Sequence, residues 1–568
     1  MKTSTGILIG CGSILLILAA AFAVGYCVGF GPKGPQIAGE SWLVLDPMGE
    51  VPDYTELRGS DFWGFSTLSA EDICARIRNA ATDSSIKGII IKPSMLLINF
   101  ASLHEIGAAI EEFKKSKKPV IAHAEMMGQK DYLLCAMADK VYMDPSASGG
   151  IVLEGVASNI LFYRDALAKL GVKMHVMQSG EFKGAGEPYT RTSLSPGTEE
   201  NLRKALKSRY DLIREDIAKL RRLDAARLLE IYENRPDLNI NATEAKQYGL
   251  IDDTATWDGL LEKYDIDDNQ RQSISDYKDS SSQAIVGNQI AIVNLSGNIA
   301  TTNGFSPEGI ISYNGVDRML DAIEDDSNVK AVVLRVNSPG GSALESESIY
   351  QRIKALDIPV VVSMGGMAAS GGYYISCAGD YIVADPHTIT GSIGVIMALP
   401  EAEELGNKLG IESQTISYGK FANFGSIFEK YDEELLISLE RNSEAVYTEF
   451  KQRVMDARKI GPQEIDAVAE GRVFSAADAK ALKLVDEIGG LEAAVKKAAG
   501  LAGVTRYSVR QYPKKIGLWD MFRREGMFDM ASGLLKARDA SLSDRLEAYL
   551  ARTLQTKQWL YFCPYRMD

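Results

Sequence analysis

The 568 residues exceed what one hydrophobic core organises and imply roughly two to four domains. A formal charge of −14 and a pI near 5.1, without a long Lys/Arg run, exclude a nucleic-acid binder that works through a basic face. The six cysteines (Cys11, Cys27, Cys74, Cys135, Cys377, Cys563) form no C-x-x-C pair, and His104, His123, His175 and His387 show no metal-ligand spacing. No disulfide framework, metal or organic cofactor is therefore expected.

Between Lys2 and Lys33 there is no charged residue, and Gly6 to Phe30 is a continuous apolar stretch long enough to cross a bilayer as a helix. Ala21-Phe22-Ala23 resembles the small-residue cleavage site of a signal peptide, but the apolar run continues past it, which favours an uncleaved anchor. Lys2 on the short side puts the remaining body outside the cytoplasm. Residues 1–39 are read as this anchor and a Gly/Pro-rich juxtamembrane piece.

From Glu40 to Tyr264 short apolar runs alternate with helical patterns; 265–288 is polar and reads as a linker; a second unit spans 289–504. The two units match segment by segment and in order. The run Ile86-Lys87-Gly88-Ile89-Ile90-Ile91 parallels Val329-Lys330-Ala331-Val332-Val333-Leu334, and Lys118 to Ala122 parallels Ile358 to Val362. Ala138 to Pro145 parallels Gly379 to Pro386, and Ala245 to Asp252 parallels Ala479 to Asp486. Short β-branched strands alternating with amphipathic helices predict parallel βαβ units, so the fold class is α/β, present twice. Residues 505–568 read as a surface-packed helical tail.

Each copy serves as the control for the other. The second unit's strand end runs into Asn337-Ser338-Pro339-Gly340-Gly341-Ser342, where the first has Lys92-Pro93-Ser94-Met95-Leu96. A Gly-Gly pair there can expose the backbone N–H groups that an oxyanion hole needs, although a tight strand-to-helix turn would explain it as well. Further on, Ser370 stands among small residues in Ala368-Ala369-Ser370-Gly371-Gly372, with the Gly371 N–H beside it, whereas the first unit places Gln129 opposite. The first unit in turn has Gly180-Glu181-Phe182-Lys183, and aligning Gly180 with Gly419 sets Lys183 against Ala422. Lys183 is the leading candidate base; Lys420 remains open as a substitute if the loop shifts register.

These residues resemble the long form of signal peptide peptidase A, a family of membrane-anchored serine peptidases in the ClpP/crotonase-like fold. The resemblance covers about residues 40 to 505. It is carried by the G-x-x-K-x-x-x-E-P segment around Lys183 and Glu187-Pro188, and by the S-P-G-G, A-S-G-G-Y-Y and G-S-I-G-V segments. It implies a dyad split between the halves, with Ser370 as nucleophile, Lys183 as general base and Ser392 hydrogen-bonded to the lysine. Gly340, Gly341 and Gly371 would then form the oxyanion hole, and no metal takes part. A Ser–Lys pair needs its lysine neutral, a state that burial favours. The family's substrates are residual signal peptides and other short apolar peptides. The resemblance also implies a bacterial inner-membrane protein with an extracytoplasmic body, and ring- or dome-like homo-oligomers such as tetramers. Two other readings stay open: a crotonase-like thioester site using Glu345 or Glu347, and a non-enzymatic membrane scaffold.

Overall fold

The isoleucines of Ile86–Ile91 and the valine-rich strands Val329–Ser338 and Val360–Ala369 are buried almost throughout, as parallel strands sandwiched between helices must be. In a computed structural model, which describes residues 40–56, 68–277, 287–302, 309–422 and 424–515 and the backbone of Leu560–Phe562, these strands form two separate sheets. The first runs Asp253–Thr254, Lys140–Met143, Val120–Ala124, Ile86–Ile91, Ser41–Leu45, Arg271–Ser273, with every neighbouring pair parallel. The second repeats that order as Glu487–Ile488, Tyr381–Ala384, Val360–Ala369, Val329–Ser338, Gln289–Ser296, Ser508–Tyr512.

The repeat extends to individual polar contacts. The Tyr132 hydroxyl donates to the Leu250 carbonyl at 2.8 Å, and the Tyr373 hydroxyl donates to the Leu484 carbonyl at 2.8 Å. Asp139 accepts from Val120 N–H at 2.9 Å, and Asp380 accepts from Val360 N–H at 2.9 Å. Each unit also has one 26-residue helix, Pro196–Arg221 and Glu433–Arg458, and each ends on a left-handed residue, Arg222 or Lys459. The Tyr132 and Tyr373 match places Gln129 and Ser370 at equivalent points.

Two boundaries need correction. The stretch 265–288 is not wholly a linker, because Arg271–Ser273 adds a parallel edge strand beside Ser41–Leu45. Likewise 505–568 does not begin as a helical tail: Ser508–Tyr512 adds the matching edge strand beside Gln289–Ser296. Edge strands pair on one side only, so they need no long apolar run to mark them. Near the other end of that tail, Leu560–Phe562 is a strand paired antiparallel with Gly340–Ser342. The apolar segment read as a membrane anchor lies outside the described residues. Among the described residues, no helix is long and apolar enough to cross a membrane.

The halves meet along a broad polar and apolar junction. Strand Lys173–Ser179 of the first unit pairs antiparallel with Val395–Glu401 of the second, with Met177 opposite Met397 above Tyr431, Leu435 and Leu439. Arg335 pairs with Glu105 at 2.9 Å, His104 with Asp385 at 2.7 Å, and His387 with Asp216 at 2.9 Å. Asn201 exchanges two hydrogen bonds with the Val473 backbone, at 3.0 and 2.9 Å.

Candidate active site

Strand Val360–Ala369 ends at Ser370, and the next residue opens a short helix, Gly371–Ser376. Ser370 makes this turn at φ 56° and ψ −119°, a left-handed φ that a residue with a Cβ rarely adopts. Such a conformation costs of order 1–3 kcal/mol and persists only where the surroundings impose it. Here the Ser370 N–H donates to the Gly391 carbonyl at 2.8 Å, and the Ser370 carbonyl accepts from Tyr374 N–H at 2.9 Å.

The strand pairing between the halves ends at Ser179 opposite Val395, and it carries the following loop into the second unit. There Phe182 N–H donates to the Glu470 carbonyl at 2.7 Å, and Glu181 N–H donates to the Glu470 carboxylate at 2.9 Å. Lys183 is 1% exposed and Ser370 is fully buried. Lys183 Nζ lies 2.7 Å from Ser370 Oγ, 2.7 Å from the Ser392 carbonyl oxygen and 2.9 Å from Ser392 Oγ. A neutral amine can meet all three, with two N–H groups given to Ser392 and its lone pair turned to the Ser370 hydroxyl. Ser392 also sits at φ 56°, held by its N–H bond to the Arg472 carbonyl at 2.6 Å.

The structure therefore brings Ser370, Lys183 and Ser392 together. Lys420 stands elsewhere: it is exposed at the surface and paired with Glu434 at 2.6 Å. Gly340 and Gly341 have φ of 104° and 152° and form the strand Gly340–Ser342. The Gly340 N–H donates to Ser338 Oγ at 3.1 Å. Gly371 packs onto this turn so closely that a Cβ on it would lie 3.2 Å from both Gly340 Cα and Gly341 N. Its own N–H belongs to the first helical turn, which supplies no intrahelical acceptor. Glu345 caps the helix starting at Tyr313 by accepting its N–H at 2.7 Å, and Glu347 pairs with Arg453 at 2.5 Å and accepts from the Tyr374 hydroxyl. Both carboxylates are thus engaged in holding helices.

Two further contributors were given no role from the sequence: Glu187, quoted there only within the G-x-x-K-x-x-x-E-P segment, and Gly471, which was not singled out. Glu187 accepts from Ser195 N–H, Ser195 Oγ and Thr198 Oγ1 at 2.7, 2.6 and 2.8 Å, tying the lysine loop to the start of the long helix. Gly471 lies under the lysine, where an added Cβ would come within 2.5–2.7 Å of Lys183 N, Cα and Cβ. The signal for it was available, because Glu470-Gly471-Arg472 stands where the first unit has Pro236-Asp237-Leu238.

Comparison with known proteins agrees with this duplicated layout. The model of peptidase family S49 matches residues 112–271 and 352–505, covering more than half of the chain. The chain belongs to peptidase family S49. The S49 relative Protease 4 of Haemophilus influenzae is 32% identical over 86% of this chain and 82% of its own length. Protease 4 of Salmonella typhi is 34% identical over 93% of this chain and 87% of its own. The chloroplastic serine protease SPPA of Arabidopsis thaliana is 28% identical over 85% and 72%. A Clp protease model also matches residues 311–389, which identifies the α/β unit as ClpP-like. This S49 protein is a serine peptidase of the tandem signal peptide peptidase A type.

Proposed function

We propose that this protein is a membrane-anchored endopeptidase whose Ser370 and Lys183 form a catalytic dyad split between the halves, and that it degrades cleaved signal peptides and other short apolar peptides. The observation that carries the reading is the 2.7 Å separation of Lys183 Nζ from Ser370 Oγ inside a buried site. Lys183 takes the Ser370 hydroxyl proton as Oγ attacks the scissile carbonyl, and then gives a proton to the leaving amine. Water releases the acyl-enzyme by the reverse proton path. In this reading the N–H groups of Gly340, Gly341 and Gly371 supply the oxyanion hole; that of Gly340 is shared with Ser338 Oγ at rest and joins the others when that bond opens. Ser392 orients the amine through its carbonyl and hydroxyl.

An extended substrate adds as a strand beside Gly340–Ser342. The pairing of the chain's own Leu560–Phe562 with that strand supports this binding mode. In this reading the 6–30 segment holds the protein in the bacterial inner membrane with its body outside the cytoplasm, and the chain works as a homo-oligomer, with four subunits as the leading number.

The test is peptide hydrolysis by the full-length protein in detergent, compared with Ser370→Ala, Lys183→Ala and Lys420→Ala. Loss of turnover by about 10⁴-fold or more in the first two, with Lys420→Ala near wild type, is the expected pattern. Turnover surviving Lys183→Ala would move the base elsewhere, and an inactive wild type would favour the scaffold.

A further inference from the structure

The turn that receives the lysine loop runs against the ordinary preferences of its residues. Ala469 to Arg472 is closed by the Arg472 N–H donating to the Ala469 carbonyl at 3.3 Å, and both central residues have positive φ, 61° at Glu470 and 78° at Gly471. Glycine, asparagine and aspartate suit the first of these places, because a left-handed φ presses a Cβ toward the following carbonyl oxygen. Glutamate is none of them. Strain kept at one position in this way points to a role for the side chain it carries.

Both oxygens of that side chain are engaged. One accepts from the Glu181 N–H at 2.9 Å and the other from the Tyr447 hydroxyl at 3.0 Å. The Tyr447 oxygen in return accepts from the Glu470 N–H at 3.0 Å, and Tyr447 is itself buried on helix Glu433–Arg458. The same turn aims the Glu470 carbonyl at the loop, where the Phe182 N–H donates to it at 2.7 Å. Two consecutive peptide groups just ahead of Lys183 are thus held by one residue of the other half. Gly180, at φ 108°, permits the approach, since a Cβ on it would lie 2.9 Å from the Glu470 carbonyl carbon. The turn's other flank holds the groups that orient the amine: the Gly471 N–H donates to the Ile393 carbonyl at 2.8 Å, and the Arg472 carbonyl accepts from the Ser392 N–H at 2.6 Å.

We infer that Glu470 is a positioning residue for the dyad: from the second half it grips the peptide groups that precede Lys183 and so fixes where the amine stands beside Ser370. A lysine reaches its target through a flexible stem, so Nζ keeps its 2.7 Å separation from Ser370 Oγ only if the backbone at the root of that stem is held. Glu470 holds it across the junction, and Tyr447 braces the carboxylate from behind. The residue acts through Lys183 and not on the reacting atoms. This inference deepens the proposed function and rests on Lys183 as its base.

The test is steady-state hydrolysis of a fluorogenic leucine- and alanine-containing peptide by the full-length protein in detergent, measured across pH, with melting temperature alongside. Wild type is compared with Lys183→Ala, Glu470→Ala, Glu470→Gln and Glu470→Asp. Glutamine keeps the reach and an acceptor for the Glu181 N–H. Aspartate keeps the charge and suits the left-handed turn better, but stops one methylene short. The expected result is a drop in kcat of about 10- to 100-fold in the alanine and aspartate variants with KM within about twofold, the size of effect that a displaced catalytic group produces. The acid limb of their kcat/KM profile is expected to move to higher pH, because an amine loosened toward water holds its proton more firmly. Glutamine is expected to recover kcat to within about fivefold of wild type, and aspartate to melt no lower than wild type. A turn that serves only the fold predicts the reverse order, with aspartate the most active of the three. That order, a wild-type kcat and pH profile in Glu470→Ala, or a loss that glutamine does not recover overturns the inference and leaves the dyad standing. Turnover surviving in Lys183→Ala overturns the dyad and the inference together.

Discussion

The lysine loop of the first half and its counterpart in the second begin from the same pattern and end in different states. Residues 173–187 are zipped onto the other half, and Lys183 reaches the bottom of its site. Residues 411–422 contain similar apolar positions yet remain exposed, with Lys420 paired to Glu434 at the surface. The difference lies in the company each segment finds: one has a strand edge, the Glu470 backbone and Gly471 to receive it, and the other pairs with no strand among the described residues. In the proposed dyad Lys183 serves as the base because the partner surface buries it against Ser370.

That comparison can be broken first by exchanging the lysine. Lys183→Ala combined with Ala422→Lys is expected to stay at least about 10³-fold below wild type in peptide turnover, because Ala422 lies on the exposed loop. Recovery of activity would mean that the two loops are interchangeable. The receiver can be altered next. Gly471→Ala forces a Cβ against the Lys183 backbone at φ 78°, so a loss of about 1–3 kcal/mol in stability is expected, together with reduced kcat. Asp237→Ala, at the equivalent position in the first half, should change neither thermal melting nor turnover by a comparable amount. A smaller effect is expected at Ser392: alanine removes one of the bonds that orient the amine, and kcat should drop about tenfold with little change in KM.

The smallest effect concerns the polar part of the junction. The hydrogen bond that His104 Nδ1 donates to the Asp385 carboxylate holds His104 above its ordinary pKa, against the opposing effect of burial, with the charges of Asp385, Asp216 and Glu105 adding to the rise. A raised folded value means that the contact contributes fully below about pH 6.5, the unfolded value, and fades as pH rises through the folded one. The difference in melting temperature between wild type and His104→Gln should therefore be larger at pH 5.5 than at pH 8.5. An equal difference at both would remove the charged form from the account.

Much of the fold was legible because buried parallel strands announce themselves. Ile86–Ile91 and Val360–Ala369 need apolar residues on both faces, and the polar Arg271–Ser273 and Ser508–Tyr512 escaped because an edge strand does not. The site was legible through absence, since each copy exposed what the other lacked. Gly471 escaped because its segment, Glu470 to Arg472, was not compared with Pro236 to Leu238 in the same way.

The linear chain alone determined that two α/β units exist, that a serine flanked by small residues belongs to one and a lysine loop to the other, and that acidic composition leaves no basic face. Only the tertiary structure decided which lysine meets the serine, because that depends on one antiparallel pairing across the junction and on a glycine more than 280 residues away that leaves room for the lysine backbone. It also decided that Gly340 shares its N–H with Ser338 at rest. Local pattern fixes what each segment can become; burial against a distant segment selects the atoms that react.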